Sequence, residues 1–290
     1  MIKNFEHFAP KTLKEAIALL AKYGDDCKVI CGGQSLLVLM RQGLVAPKYV
    51  VDIKGLSELS YIKDGKDGLK IGATTTHRTI EKSAVIKRKY PVLAEMESRL
   101  ASIQTRNWGT IGGNICHGDP AGDPVPVLIA LNATLSLAGA KGTRNMPVEK
   151  FSLDYFEVAL KDGELLTEIQ IPTPPPRTGT VYTKFNIIDS DLATVSVAAS
   201  VTLGSGDGVC KDISIALGAA APTAIRAKKA EAVLKGKKIT EALLAQAGEA
   251  AAKEAEPISD IQASEEYRRE LVKVLVPRMT REALARAKKA

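Results

Sequence analysis

Two glycine-rich stretches carry the residue types best suited to holding a ligand: "CGGQSLL" at 31–37 and "NWGTIGGNICHGDPAGD" at 107–123. The first lies between the apolar runs Lys28-Val29-Ile30 and Val38-Leu39-Met40, so the chain passes from a strand through Gly32 and Gly33 toward a helix. A glycine pair permits positive φ and lets main-chain N–H groups approach a ligand with no Cβ in the way. If Ser35 opens the helix, N–H donors, a hydroxyl and a helix N-terminus converge on one spot, which is an anion site. The plain alternative is a strand-to-helix turn that only needs tightness. In the second stretch, Gly109, Gly112 and Gly113 are expected to leave amides bare, Thr110 and Asn114 offer short polar side chains, and Asp123 adds a carboxylate nine residues after Asn114. A nest of amides suits phosphate. A carboxylate beside it suits the hydroxyls of ribose or ribityl, so the pair points to a nucleotide-type cofactor.

The familiar signatures for other chemistries are missing. Neither GxGxxG nor GxxxxGK[ST] occurs, and HExxH, GxSxG and zinc spacings are absent too. Of three histidines, His7 is near the terminus, His77 follows "TTT" at a helix start, and His117 sits inside the glycine-rich segment. For His77 and His117 the expected role is to orient a neighbour or bond backbone, not acid–base catalysis. No nucleophile, general base or metal cage can be assembled, so any chemistry belongs to a cofactor.

The elements that must position these segments are legible in part. "KTLKEAIALLAKYG" holds a capping box, Thr12-x-x-Glu15, apolar residues at helical spacing and a terminal Gly24. "CKVIC", "KYVVDI" and "GLKIGATTT" read as strands and "YPVLAEMESRLASI" as a helix, so strands and helices are expected to alternate to about residue 140. Pro172, Pro174, Pro175 and Pro176 force an extended chain that cannot continue a sheet, and a domain boundary is placed there. Beyond it, "TVYTKFNI", "ATVSVAASVTL" and "VCKDISIAL" predict three antiparallel strands, with "GSGDG" as a hairpin turn between the last two. From Thr223 the pattern is helical, ending in "SEEYRRELVKVL" with Ser264 as N-cap.

With 290 residues and 45% hydrophobic content the chain can bury a core large enough for two domains. No run reaches the roughly 20 apolar residues of a membrane helix, and the start lacks a leader pattern. A soluble cytoplasmic protein without membrane insertion is expected. Cys27, Cys31, Cys116 and Cys210 match neither a disulfide framework nor a metal cage. Of the net charge of +7, five units lie in Thr223–Ala290, mixed with acids in helical sequence, which reads as a solvated face or a dock for an acidic partner and not as a nucleic-acid surface.

"GGQSLL" and "TIGGN" resemble the two flavin-binding signatures of the FAD-carrying medium subunits of molybdenum hydroxylases. This is the group of the carbon monoxide dehydrogenase, quinoline oxidoreductase and nicotinate dehydrogenase flavoproteins and the central part of xanthine dehydrogenase. "FEHFAPKTLKEAIALLAKYG", "QTRNWGTIGGNICHGDPAGD", "LLTEIQIP", "YTKF" and "ASEEYRRELVKVLVPR" extend the likeness over nearly the whole chain. The resemblance implies an α+β fold: a two-part FAD-binding domain of the vanillyl-alcohol oxidase type over residues 1–176, split near 55, then a flavoprotein C-terminal domain over 177–290. It implies a binding segment of Ile30, Cys31, Gly32, Gly33, Gln34, Ser35 and Leu36, with the two glycine amides and the Gln34 and Ser35 side chains on the FAD diphosphate. Thr110, Gly113 and Asn114 would form the other jaw, Cys116 would lie along the cofactor, and Asp123 would take ribityl hydroxyls. Leu166 would pack on the isoalloxazine and Lys184 would sit near its polar edge. Two departures stand out: relatives often carry Arg where this chain has Trp108, and a basic residue where it has Ile187-Ile188. The cysteine-rich loop that benzoyl-type reductase relatives insert for an extra iron–sulfur cluster is absent.

The activity implied is electron transfer. FAD on this chain would take electrons from the [2Fe-2S] clusters of a small partner subunit, fed by a molybdopterin cofactor on a large molybdenum subunit. It would pass them to NAD, a quinone or a carrier protein. The alternative is a self-sufficient FAD oxidase or reductase acting directly on a small molecule.

Overall fold

The computed structural model describes residues 2–188, 190–204 and 208–290. The chain begins with a parallel sheet in which Glu6–Phe8 and Cys27–Ile30 flank Tyr49–Asp52. Parallel neighbours need crossovers, supplied by helices Leu13–Tyr23 and Leu36–Gln42. Thr12 Oγ1 accepts from the Glu15 N–H at 3.2 Å, as the capping box predicts, but the Glu15 carboxylate reaches the Lys11 N–H at 2.7 Å, one residue before the cap. Gly24 ends the helix at φ +51°. Ala16 and Leu20 bury that helix against Cys27 and Val51.

The second sheet has five antiparallel strands in the order Ile62–Gly65, Gly68–Gly72, Leu165–Pro172, Thr134–Gly139, Gly142–Pro147, so its central strand is the last in sequence. Between Gly72 and Thr134 the expected alternation gives way to six short consecutive helices: His77–Lys82, Ala84–Lys89, Pro91–Arg99, Ile103–Trp108, Ile111–His117 and Pro124–Ala130. The reason is local: Thr76, Ser83, Ser102 and Thr110 each accept a backbone N–H at a new helix start. Ile80, Leu93, Met96, Ile111 and Leu128 from these helices pack on Leu69, Ile71, Leu135 and Ile169 of the sheet. Pro172 is the final residue of its strand, opposite Gly68, and the next strand starts at Thr178.

The third sheet orders Thr178–Phe185, Val195–Leu203, Cys210–Gly218 and Ile225–Arg226 antiparallel. The three expected strands are present, and a fourth of two residues begins the segment read as helical. The expected "GSGDG" turn lies largely outside the described residues, which omit 205–207. Helices Lys228–Leu234, Glu241–Glu254 and Glu265–Ala287 cover one face, where Leu244, Val272 and Val276 meet Val181, Val197 and Ile215. Ser264 Oγ accepts from the Tyr267 N–H at 3.2 Å. Ser264→Ala will lower stability by about 1 kcal/mol, read as a lower urea midpoint with unchanged flavin content. Among the described residues no helix is long and apolar enough to cross a membrane.

Candidate cofactor site

The two glycine segments touch backbone to backbone. A Cβ at Gly32 would stand 2.4 Å from the Trp108 carbonyl oxygen and 2.7 Å from Gly109 Cα, so no side chain fits at the junction. Gly33 turns the chain at φ +69°, and the Gln34 side-chain amide donates to the Gly32 carbonyl at 3.0 Å, tying the turn. Ser35 precedes its helix in helical conformation and makes no capping bond, contrary to a simple N-cap role. The N–H groups of Gly33, Gln34, Ser35 and Leu36 find no acceptor among the described residues. Four consecutive spare donors beside a cleft fit an anionic group.

The second segment corrects the sequence reading. Its amides are not bare: Gly109 N–H donates to Thr105 O at 2.7 Å, Gly112 N–H to Ala73 O at 2.9 Å, and Gly113 N–H to Thr110 Oγ1 at 3.2 Å. Thr110 caps helix Ile111–His117 and takes the Gly113 N–H, while the preceding helix takes that of Gly109 and the Ala73 loop that of Gly112. Two of the glycines serve contact: a Cβ at Gly112 would meet Ala73 at 2.6 Å, and one at Gly109 would meet Thr105 O at 2.9 Å. At Gly113 an added Cβ would meet only Thr110 Oγ1, at 2.9 Å.

Around this junction the cleft has two lobes that share wall residues. One, of about 390 Å³, is lined by Ile30, Cys31, Gly32, Gly33, Gln34, Ser35, Leu36, Thr110, Gly113, Asn114 and Asp123 among the expected residues. The other, of about 630 Å³, shares Cys31, Ser35, Leu36, Thr110 and Gly113 and adds Cys116 and Leu166. Asp123 and Leu166 therefore line different lobes. Burial pushes the Cys116 thiol up to about 12, so it lines its lobe as a neutral group.

Lys184 lines neither lobe. It lies behind Asp123 with Nζ 2.9 Å from Asp123 Oδ2, in a pair whose side chains are 1% and 4% exposed, and it also donates to the Asp191 carbonyl at 2.9 Å. Tyr182 donates its hydroxyl to Asp123 Oδ1 at 2.5 Å. Burial pushes the Asp123 carboxyl above its ordinary value, while the Lys184 ammonium and the Tyr182 hydroxyl pull against that rise. Asp191 itself lines the first lobe, so one lysine ties Asp123 to a second stretch of cleft wall. The sequence reading missed Tyr182, although alternation along a strand puts residues 182 and 184 on one side.

His77 also lines the first lobe, with Nδ1 2.8 Å from Glu97 Oε2 in a buried pair. It orients against a neighbour, as expected of it, but Glu97 carried no sequence signal. Trp108 is 56% exposed, with Lys54 Nζ 3.4 Å above its ring centre. A lysine from another loop thus holds a cation over the position where the resemblance implies an arginine.

Spare amides on one segment, a side-chain-free junction and a bilobed cleft beside a buried carboxylate make this a dinucleotide-cofactor site of the flavoprotein type. Residues 3–174 match the FAD binding domain in molybdopterin dehydrogenase, and residues 180–283 match the CO dehydrogenase flavoprotein C-terminal domain. The chain is 34% identical over 283 residues to the carbon monoxide dehydrogenase medium chain of Hydrogenophaga pseudoflava, covering 98% of each. It is 30% identical over 279 residues to the xanthine dehydrogenase FAD-binding subunit of Escherichia coli O157:H7, covering 95% and 94%. A solved structure of carbon monoxide dehydrogenase from Hydrogenophaga pseudoflava superposes with a TM-score of 0.96 at 36% identity, covering 99% of both chains. Quinoline 2-oxidoreductase from Pseudomonas putida 86 superposes with a TM-score of 0.92 at 32% identity, again covering 99% of both chains. The chain belongs to the family of FAD-binding medium subunits of molybdenum-containing dehydrogenases, and FAD is its cofactor.

Proposed function

We propose that this chain is the electron-transfer subunit of a molybdenum hydroxylase complex. It receives electrons from [2Fe-2S] clusters on a small partner, fed by a molybdopterin cofactor on a large one, and passes them to an external acceptor. The observation that carries the reading is the bilobed cleft at the glycine junction, in a chain that matches medium subunits from end to end. This reading places the metal centres on the partner subunits. Residues 1–176 would bind the cofactor and 177–290 would complete the wall of the cleft through Asp191 and Leu192, with Lys184 behind it tying Asp123 to the Asp191 carbonyl. Free thiols at all four cysteines agree with a cytoplasmic location.

FAD, when bound, supplies reversible one- and two-electron chemistry. The amides of Gly33, Gln34, Ser35 and Leu36 would hold the diphosphate, and Thr110 would fix the facing helix end through its bond to the Gly113 N–H. Asp123, held in place by Tyr182 and Lys184, keeps lone pairs for polyol hydroxyls. Leu165 and Leu166, both buried, give the larger lobe an apolar wall.

The test is reconstitution. The FAD-loaded chain alone will leave its flavin oxidised with aromatic heterocycles, aldehydes or carbon monoxide. Adding the molybdenum and [2Fe-2S] subunits will make flavin reduction substrate-dependent. Flavin reduction at a catalytic rate by the chain alone would replace this reading with that of a self-sufficient oxidase.

A further inference from the structure

Behind one wall of the first lobe sits an acid to which the cofactor reading gives no task. Glu97, on helix Pro91–Arg99, is 0% exposed and holds Oε2 2.8 Å from His77 Nδ1. Its other oxygen, Oε1, is buried with no hydrogen-bond partner among the described residues. An ionised carboxyl with one bare oxygen in a dry interior forfeits hydration that nothing replaces. The nearby cations are committed elsewhere. Arg106 donates to Glu81 at 3.1 Å and to the Leu100 and Ala101 carbonyls at 2.7 and 2.8 Å, and Glu81 also holds Arg78. Lys184 is taken by Asp123. Burial accordingly holds the Glu97 carboxyl above its ordinary value, with His77 pulling against the rise and Asp123 adding to it.

A neutral Glu97 donates its O–H to His77 Nδ1, and a neutral imidazole then carries its one proton on Nε2. That nitrogen has no partner among the described residues, and the ring lines the first lobe. The backbone decides where it faces. His77 opens helix His77–Lys82 behind the Thr76 cap, and its N–H donates to the Gly109 carbonyl at 3.0 Å. A Cβ built on Gly109 would stand 3.2 Å from His77 Cδ2, the ring atom bonded to Nε2, and 3.5 Å from Gln34 Cγ. The imidazole edge and the segment with the four spare amides thus meet at Gly109.

We propose that His77 is a further ligand of the FAD diphosphate, donating from Nε2–H, and that Glu97 is a positioning residue that fixes this tautomer by donating to Nδ1. The inference rests on the placement of the diphosphate at the Gly33–Leu36 amides in the reading above. A neutral donor suits the site, because it adds a hydrogen bond to the anion without leaving a buried cation unpaired in the apo chain. The opposite arrangement, a carboxylate accepting from Nδ1–H of a neutral ring, would turn the Nε2 lone pair toward the phosphate and repel it.

The experiment uses the full chain, apo and FAD-loaded, labelled with 15N in histidine. Long-range 1H–15N correlation at neutral pH will show His77 Nδ1 bare and Nε2 protonated, with the signals assigned by their absence from His77→Phe. His77→Phe will raise the Kd for FAD at least about tenfold, measured on apo chain whose circular dichroism is unchanged. Glu97→Leu removes the donor to Nδ1 and will also weaken FAD binding. Glu97→Gln, whose amide N–H replaces the acid O–H, will restore it. A proton on Nδ1 would overturn the assignment, as would FAD affinity indifferent to His77→Phe or to Glu97→Leu, or a Glu97→Gln chain as weak as Glu97→Leu. Failure of the diphosphate placement shows separately, as 31P resonances of bound FAD unmoved from those of free FAD. The electron-transfer reading is tested apart from all of these, since none of them involves a partner subunit or an acceptor.

Discussion

Replacing Gly113 by Val will abolish FAD binding and leave the fold standing. An added Cβ there meets only Thr110 Oγ1, at 2.9 Å, and Gly113 lines both lobes, so the extra methyl groups enter cofactor space. The loss will exceed about a hundredfold in affinity, or roughly 2.8 kcal/mol, measured by titrating the apo chain with FAD. The urea midpoint of the apo chain will change little. The neighbouring Gly112→Val supplies the contrast: its Cβ would stand 2.6 Å from Ala73, so it will lower the urea midpoint of the apo chain itself. A Gly113→Val chain that purified with stoichiometric flavin would remove the cofactor from this junction.

The second large effect concerns the pair behind the cleft. Lys184→Met leaves the Asp123 carboxylate buried without its cation and will cost about 3–5 kcal/mol of stability. Asp123→Asn will be similarly costly, because it strands the ammonium. The double variant will lose much less than the sum, since neither charge is then unpaired. The sign of the pH dependence follows from the carboxyl. Burial holds Asp123 above its ordinary value even with Lys184 present, and removing the lysine raises it further. A carboxyl raised in the folded state favours folding where it is protonated, so the Lys184→Met deficit will shrink as pH falls and widen as pH rises through the folded value. Urea midpoints at acid and neutral pH check this, and additive single losses would show that the pair does not act as a unit.

What the sequence revealed about this site was what a short segment decides by itself. The Thr12 and Ser264 caps, the strand before Cys31 and the turn at Gly33 depend on neighbours within a few positions, and all are present. The Gly112 and Gly109 amides were misread because their acceptors are supplied elsewhere: Ala73 belongs to a distant loop, and Thr105 belongs to a short helix that Ser102 caps. Lys184 and Asp123 lie 61 positions apart, and no spacing rule joins them. The six-helix run was hidden because helices of six to nine residues are too short to display a full apolar stripe, and their stability comes from packing on the sheet.

The order of the second sheet also governs how the protein can be made. Among the described residues its middle strand, Leu165–Pro172, is what joins the pairs Ile62–Gly72 and Thr134–Pro147, and Leu165 also packs in the core of the first sheet. A nascent chain emerging from the ribosome therefore presents two unjoined hairpins, with open edges and an uncovered apolar face, until residue 172 has left the exit tunnel. Contacts of such long sequence separation close slowly, and unpaired edges invite aggregation in the interval. Overproduction will thus favour slow synthesis and chaperone supply, and any fragment ending before the middle strand will be insoluble however complete its glycine segments are.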